Sequence, residues 1–393
     1  MRLTILDGFR GFFLLFMAVV HIDGIVDVTL GKLNHHALGW VEDAQGFVFI
    51  SGFVVGLVYG GTYVRRGFGA MRAAVRARMR TIYAYHAGLV LFILLAALLL
   101  AAAGVAPNIV APYRAEPVIF PLLSLLLVSS SAFMDILPLY LWLMLLTPWA
   151  FWMFHTDRTF AFVLLSAGAW ALAQTGAGPW LVALIEGALG GATGREWSVG
   201  LGFNPLGWQV IYFAGLFLGL RSAEGRLDLG WMADPRVRRA VPYAVGLVVA
   251  LGLLDLAASQ GLVPGLGGAV YGRILRDDMS DIYLVAFFLD LFVIAWLLNE
   301  GERSGWPLAA AAARGLRWLF TRPFLVFLGQ HSLQVFAWHV AVAYLIDFAV
   351  SPDTFGEFGG TLVMIAGTLS IYLPAWLHAR HVAARRAARA APT

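Results

Sequence analysis

Long apolar segments recur along the whole chain and constrain its fold more than any other feature. A helix needs about 20 mostly apolar residues to cross the hydrocarbon core of a bilayer. Hydropathy and helix-breaking residues delimit ten such segments, at about residues 8–29, 44–61, 82–103, 134–155, 159–178, 205–221, 239–258, 281–299, 324–348 and 359–378. The sequence therefore predicts an all-α, polytopic integral membrane protein with about ten transmembrane helices. We expect one membrane-embedded domain over residues 1–393, with a ten-helix core over residues 1–378 and a basic cytoplasmic tail over residues 379–393.

The composition narrows the class of protein further. Hydrophobic residues make up 60% of the 393 residues and charged residues 13%, which is far outside the range of soluble domains. The chain has no cysteine, which excludes disulfides, thiolate metal sites and cysteine nucleophiles. It also lacks a phosphate-binding loop, a dinucleotide fingerprint and a zinc-protease motif. We therefore expect neither a metal site nor a permanently bound cofactor.

The distribution of basic residues predicts the orientation in the membrane. If the N-terminus is cytoplasmic, 21 of the 27 Lys and Arg residues fall in cytoplasmic segments, five fall outside, and Arg10 lies within the first apolar segment. Basic residues concentrate on the cytoplasmic side of membrane proteins, and shifting the count by one segment would destroy this asymmetry. We therefore predict that both termini are cytoplasmic, and that the bilayer rather than nucleic acid accounts for the net charge of +4.

The first apolar segment carries three ionisable residues. Arg10 and His21 are eleven residues apart, which on a helix places them within about 20° of one face and about 16 Å apart along the axis. Asp7 lies within about 60° of both. Because such groups are costly to expose to lipid, they should face the protein interior or a water-filled cavity. The spacing fits a functional face, and it fits equally an Asp7–Arg10 pair that orients the helix while His21 is satisfied in the core.

A second candidate is the basic segment at residues 69–80. Arg72, Arg76 and Arg80 recur every four residues, which places them on one helical face just inside the cytoplasmic surface. Such a face binds lipid headgroups. Arginines are equally suited to hold the phosphates of a nucleotide-bearing donor. The residue pattern leaves both interpretations open.

Polar residues on later segments supply further candidates. Gly329, Ser332, Phe336 and His339 share one face of the ninth segment, and a polar face in a membrane span points towards other helices or a cavity. Ser51 lies in a glycine-rich stretch that allows close helix approach. The remaining inward or outer candidates are Glu42, Asp43, Asp135, Tyr140, Asn204 and His331. Carboxylates and amides near aromatic residues suit a sugar, and ordinary polar loops beside an aromatic belt would give the same pattern.

Taken together, these segments resemble a known family. The sequence is similar to the acyltransferase 3 group of membrane acyltransferases, and most closely to its OpgC branch, the succinyltransferases of osmoregulated periplasmic glucans. The resemblance rests on residues 6–10 with His21, 47–53, 80–83, 328–332 with His339, 134–140 and 203–209. One departure concerns the arginines. The broader group often has Arg-x-x-Arg before the third span, whereas this chain has Arg76-x-Arg78-x-Arg80.

The resemblance implies acyl transfer from cytoplasmic succinyl-CoA, as co-substrate, to a hydroxyl of a periplasmic glucan at the bacterial inner membrane. His21 is then the general base, with Asp7 and Arg10 beside it in the catalytic set. The expected donor-binding residues are Arg10, Ser51, Arg76, Arg78 and Arg80. The expected saccharide-binding residues are Glu42, Asp43, Asp135, Tyr140, Asn204, His331 and His339. A cation should bind the succinyl carboxylate, and the sequence leaves His86 and the arginines as alternatives.

Two other functions compete with this interpretation. The closest alternative is also an acyltransferase, but one that transfers acetyl or another acyl group to another cell-envelope polysaccharide. A transporter could instead use His21, Arg10, Asp135 and His339 as a proton or anion relay. The chain shows no paired, Gly/Pro-broken spans in matching halves, which argues against the transporter. The oligomeric state stays open, with a homodimer as one option.

Overall fold

The chain folds into helices joined by short turns and loops. The computed structural model describes residues 4–32, 39–195, 197, 199–349 and 352–390, and this part of the chain contains no β-strand. The α-helices are α1 (Thr4–Val26), α2 (Asp43–Ala102), α3 (Ala111–Ala115), α4 (Ile119–Leu125), α5 (Ile136–His155), α6 (Thr159–Ala173), α7 (Ala177–Thr193), α8 (Pro205–Ala223), α9 (Pro235–Ser259), α10 (Leu266–Tyr271), α11 (Asp281–Glu300), α12 (Pro307–Phe320), α13 (Pro323–Gln330), α14 (Ser332–Ala349), α15 (Pro352–Ser370) and α16 (Tyr372–Ala390). The predicted all-α class is confirmed.

Several of these helices have the length and composition of membrane spans. Within the described ranges, seven helical stretches are long and apolar enough to cross a bilayer, or eight if α6 and α7, which are bent by 63°, form one span. The predicted membrane class is therefore confirmed. The count of ten and the cytoplasmic position of both termini stay predictions. α16 continues without a break past residue 378, the predicted end of the ten-helix core.

The second and third predicted segments lie in the single helix α2. At 1.5 Å per residue its 60 residues would extend about 90 Å if straight, roughly three times the thickness of the hydrocarbon core. The helix is interrupted at Gly67, where φ is 78° and ψ is 176°. A side chain is strained at this φ, so glycine permits the kink. The basic segment after the kink is helical and connects the two apolar parts.

The ninth predicted segment, residues 324–348, is two helices rather than one. α13 ends at Gln330 and α14 begins at Ser332, because His331 between them has non-helical backbone angles (φ −114°, ψ 29°). The sequence predicted that Gly329 shares one helical face with Ser332, Phe336 and His339. This prediction is wrong for Gly329, because it lies on a different helix from the other three. The break lets α13 pack against the start of α1 while α14 carries His339 to His21, near the C-terminal end of α1.

Close contacts of α1 with α13 and with Phe320, the last residue of α12, account for the glycines of the first motif. A Cβ atom on Gly8 would lie 1.6 Å from the carbonyl oxygen of Phe320, and one on Gly11 would lie 1.9 Å from that of Leu325. On the facing helix, a Cβ atom on Gly329 would lie 1.8 Å from the carbonyl oxygen of Asp7. Backbones can approach this closely only where no side chain intervenes. These contacts fix the position of Arg10 relative to α13 and α14.

A second glycine-mediated contact joins α2 to α8. Gly52 and Gly56 on α2 face the backbone of α8, and Gly215 and Gly219 on α8 face the backbone of α2. Both pairs have the four-residue spacing that lets two membrane helices pack closely. α1 contacts five other helices, α2, α12, α13, α14 and α15. The face of α1 that carries Arg10 and His21 is therefore surrounded by helices.

Candidate active site

Two histidines from distant parts of the chain form a hydrogen-bonded pair beside α1. Nδ1 of His21 lies 3.0 Å from Nε2 of His339 in α14, and the ring centroids are 5.1 Å apart. His339 is only 1% exposed, whereas His21 is partly buried. One nitrogen of the pair must carry the proton that the other accepts. His339 therefore holds the orientation and the tautomer of the His21 ring.

His21 lines a cavity of about 340 Å³, which we call the outer cavity because predicted outer segments contribute to it. Its volume falls in the range of ligand pockets, about 300–1,000 Å³. The cavity is lined by Met17, Val20, His21, Glu42, Asp43, Ala44, Phe133, Asp135, Ile136, Phe203, Arg276 and Phe336. The Phe133 ring stacks on the His21 ring, with centroids 4.4 Å apart. The imidazole of His21 is thus open to a space that could hold a ligand.

Direct contacts hold the charged side chains of the outer cavity. Glu42 accepts hydrogen bonds from Nε of Arg276 at 2.7 Å and from the Tyr283 hydroxyl at 3.1 Å. Asp135 accepts one from the backbone N–H of Gly202 at 2.8 Å. Carboxylates in fixed positions can accept hydrogen bonds from the hydroxyl groups of a neutral sugar. The lining therefore suits a polyhydroxylated ligand.

A second, smaller cavity joins the first motif to α14, and we call it the inner cavity. Its volume is about 30 Å³, and it is lined by Arg10, Phe47, Val48, Ser51, Arg78, Ile82, Ile136, Leu137, Tyr140, Ser332, Leu333 and Phe336. The Arg10 guanidinium donates a hydrogen bond to the Ser332 hydroxyl and lies 5.9 Å from the centre of the Phe47 ring. A space of this size holds about one or two water molecules. The inner cavity is thus nearly closed in this structure.

The outer and inner cavities are neighbours, because Ile136 and Phe336 line both of them. Phe336 also contacts the histidine pair, since its ring lies edge-on to the His339 ring with centroids 4.8 Å apart. Both shared side chains are buried. Two apolar side chains thus separate the arginines of the inner cavity from the imidazole of the outer cavity.

The three arginines predicted to bind the donor do not share one environment. Arg78 is partly buried and lines the inner cavity, whereas Arg76 and Arg80 are exposed. The reason is helical spacing: Arg78 follows the inward face of α2 that carries Val75 and Ile82, which are 0% and 1% exposed. The stripe of residues 72, 76 and 80 points outwards instead.

Several other predicted site residues lie away from both cavities. The Asn204 side chain caps α8 by accepting from the Leu206 N–H and donates to Asp278 at 2.7 Å. His331 contacts His378, with their Nδ1 atoms 2.8 Å apart. Asp7 is buried at the α1–α13 contact. By contrast, Ser51, predicted to bind the donor, and Tyr140, predicted to bind the saccharide, both line the inner cavity. His86 is completely buried, and its Nε2 lies 2.8 Å from the carbonyl oxygen of Ser124.

Two residues that line the cavities were not singled out as site residues from the sequence. Arg276 was only one of the five cations assigned to the outside, and Phe336 was only one member of a helical face. A signal for Arg276 does exist, because outer arginines are scarce and this one is followed by Asp277 and Asp278. Burial raises the pKa of the Asp277 carboxyl, and the positive charge of Arg276 partly opposes that shift.

The comparisons with known proteins give one match. A family model described as OpgC protein matches residues 2–382, which is nearly the whole chain. Neither the curated proteins nor the solved structures include a significant match to this sequence. Among the described residues, no group of three or more His, Cys, Asp or Glu side chains is placed to hold a metal ion.

Proposed function

The chain belongs to the OpgC family, and we propose that it is a membrane-bound O-acyltransferase that transfers a succinyl group from cytoplasmic succinyl-CoA to osmoregulated periplasmic glucan. The observation that carries the proposal is the junction of the two cavities at Ile136 and Phe336. One cavity contains arginines suited to a phosphorylated donor. The other contains an imidazole and carboxylates suited to a sugar. Acyl transfer between substrates on opposite sides of a membrane needs such an arrangement.

His21 is the general base in the proposed reaction. Its imidazole lines the outer cavity, where it takes the proton from a sugar hydroxyl as the oxygen attacks the thioester carbonyl. The carbon–sulfur bond breaks, an ester forms, and the thiolate of CoA recovers the proton from the imidazolium. His339 is a positioning residue, because it contacts the His21 ring rather than the substrate. An acyl-histidine intermediate fits the same geometry. We favour direct transfer because it requires only proton transfer from the imidazole.

Arg10 and Arg78 bind the donor in this proposal. Both line the inner cavity, and Ser332 holds Arg10 in place. The arm of CoA that carries the thioester is far larger than about 30 Å³, so the side chains around this cavity must move apart when the donor binds. Phe336 is central to that movement, since it separates the inner cavity from His21. In this proposal, donor binding therefore displaces Phe336 and brings the thioester to His21.

The outer cavity binds the acceptor in this proposal. Glu42, Asp43 and Asp135 accept hydrogen bonds from sugar hydroxyls, while Phe133 and Phe203 provide apolar faces for a sugar ring. The glucan itself extends beyond the cavity, so one sugar unit at a time is presented to His21. This placement agrees with an acceptor outside the cytoplasm, at the bacterial inner membrane.

The direct test measures transfer of labelled succinyl from succinyl-CoA to purified periplasmic glucan by the protein in lipid nanodiscs. We expect His21→Ala to lower the rate by about 10²–10⁴, the usual contribution of a general base, while succinyl-CoA binding is retained. The matched control is His155→Ala, which changes an exposed histidine outside both cavities.

Three outcomes would contradict the proposal. Full activity of the correctly folded His21→Ala protein would show that His21 is not the general base. Transfer of acetyl in preference to succinyl would show that succinyl-CoA is not the donor, although the protein would still be an acyltransferase. Movement of solute across vesicles without release of free CoA would indicate a transporter instead.

A further inference from the structure

A succinyl group differs from most acyl groups because it ends in a carboxylate, and the outer cavity is a poor place for a second anion. Its described lining includes three carboxylates, those of Glu42, Asp43 and Asp135. Carboxylates repel an incoming carboxylate unless a cation lies nearby. The lining also includes one guanidinium, that of Arg276. Any acyl carboxylate in this cavity has Arg276 as its evident partner.

Contacts on one edge and one face hold the Arg276 guanidinium. Its Nε donates to Glu42 at 2.7 Å, and its central carbon lies 5.0 Å from the centre of the Phe203 ring. The side chain is 47% exposed, and its two terminal nitrogens make no hydrogen bond to any residue that the structure describes. A guanidinium has five N–H donors in a planar fork, so binding through Nε leaves the terminal edge able to bind a second carboxylate.

The direction of the acyl chain brings its carboxylate to the same side as Arg276. The donor enters from the inner cavity, and its thioester carbonyl must reach the sugar oxygen that His21 activates. Atoms beyond the carbonyl then extend past Phe336 into the outer cavity, which Arg276 lines. Arg10 and Arg78 lie on the other side of Phe336.

The buried His86 does not meet this requirement. Its side chain is 0% exposed, its Nε2 contacts the Ser124 carbonyl oxygen, and it lines neither cavity. Of the two alternatives that the sequence left open, an arginine rather than His86 is in position.

We propose that Arg276 is a specificity-determining residue that binds the terminal carboxylate of a dicarboxylic acyl group, and that Glu42 and Phe203 hold its guanidinium in place. This assignment rests on the proposed acyl transfer. It predicts that the enzyme selects an acyl group that ends in a carboxylate over a neutral acyl group of the same carbon number. It also explains why a cavity rich in carboxylates accepts an anionic substrate.

The test compares succinyl-CoA with butyryl-CoA, whose acyl group has the same carbon number and no carboxylate. We expect wild-type protein in nanodiscs to have a higher kcat/KM with succinyl-CoA. Arg276→Gln should lower that preference by about 10- to 100-fold, which is the effect of losing a charge-assisted hydrogen bond. Arg276→Lys keeps the positive charge but lacks the planar pair of terminal donors, so it should retain part of the preference for succinyl-CoA over butyryl-CoA. Arg273→Gln, an exposed arginine of the same loop outside the cavity lining, should leave it unchanged.

The outcomes separate this inference from the proposed function. If Arg276→Gln slows both donors equally, the residue is structural and the inference is wrong, whereas acyl transfer stands. If the wild type prefers butyryl-CoA, the carboxylate site is likewise wrong and acyl transfer again stands. If the wild type transfers neither acyl group to glucan, the proposed function fails and this assignment fails with it. Thermal unfolding of each variant in nanodiscs verifies that the fold is intact.

Discussion

At the scale of single residues, the site depends on two side chains of α1 and on the partners that hold them. Arg10 and His21 share a face of α1, and each lines one of the two cavities. The spacing rule for helices is sufficient for that prediction. The contacts of His21 with His339 and of Arg10 with Ser332 join residues more than 300 positions apart, and no local pattern encodes such distances. Only the packing of α1, α13 and α14 determines them.

The His21–His339 contact predicts a graded response to substitution. His339→Phe removes the nitrogen that holds the His21 ring, and we expect kcat to fall by about 10- to 100-fold, as for other orienting partners of functional histidines. His339→Gln retains a polar side chain able to reach His21 and should recover part of the rate. The pH profile of kcat for both variants provides the measurement. A profile and rate equal to those of the wild type for His339→Phe would exclude the positioning role.

Arg78 and Arg76 form a matched pair for the donor side. Arg78 lines the inner cavity and Arg76 is exposed, although they are only two residues apart. We expect Arg78→Gln to raise the KM for succinyl-CoA by about tenfold, because a charge-assisted contact with the donor is lost. Arg76→Gln should change it little. Equal effects of the two substitutions would show that the whole basic segment acts as one surface.

At the scale of helices, apolar periodicity located most elements but not their interruptions. Residues 324–348 are apolar enough on average to predict one span, although the polar run from Gly329 to Ser332 lies where the helix breaks at His331. The kink at Gly67 likewise lies between two predicted apolar segments, just before the basic segment at residues 69–80. The break at His331 accompanies the packing of α13 against α1, whereas the kink at Gly67 rests on the backbone conformation of that glycine, which has no neighbour within 4 Å of a Cβ position. They matter because they place Arg78 and His339 at the cavities.

The α1–α13 contact gives a stability prediction with an internal control. A Cβ on Gly11 would lie 1.9 Å from the carbonyl oxygen of Leu325, so Gly11→Ala forces the two helices apart. We expect a loss of stability of about 1–3 kcal/mol. Gly24→Ala lies on the same helix, where a Cβ meets nothing within 4 Å, and should be neutral or slightly stabilising. Thermal unfolding of the purified variants compares them, and similar melting temperatures would refute the close contact.

Phe336 gives a prediction about the barrier between the cavities. Phe336→Ala removes an aromatic ring that lines both cavities. Water from the outer cavity should then reach the thioester of the bound donor more easily. We expect faster release of free CoA from succinyl-CoA in the absence of glucan. Val335→Ala is the control, because Val335 is equally buried on α14 and lines neither cavity. No increase in hydrolysis over this control would show that Phe336 does not separate the substrates.

At the scale of the whole molecule, the membrane class follows from composition, whereas topology follows only from the positions of charges. Because the chain has no cysteine, single cysteines can report the side of the membrane directly. We expect Arg273→Cys to react with a membrane-impermeant maleimide in spheroplasts. Arg226→Cys should react only after the membrane is opened. The reverse pattern would overturn the predicted orientation and the assignment of the outer cavity to the acceptor side.

In the proposed reaction the two substrates meet at the boundary between the cavities, with His21 as the base. The most direct measurement uses sealed proteoliposomes with labelled succinyl-CoA on one side only and glucan on the other side only. We expect wild-type protein to transfer label to the glucan across the bilayer and His21→Ala not to do so. Transfer that requires both substrates on the same side, or undiminished transfer by His21→Ala, would contradict it.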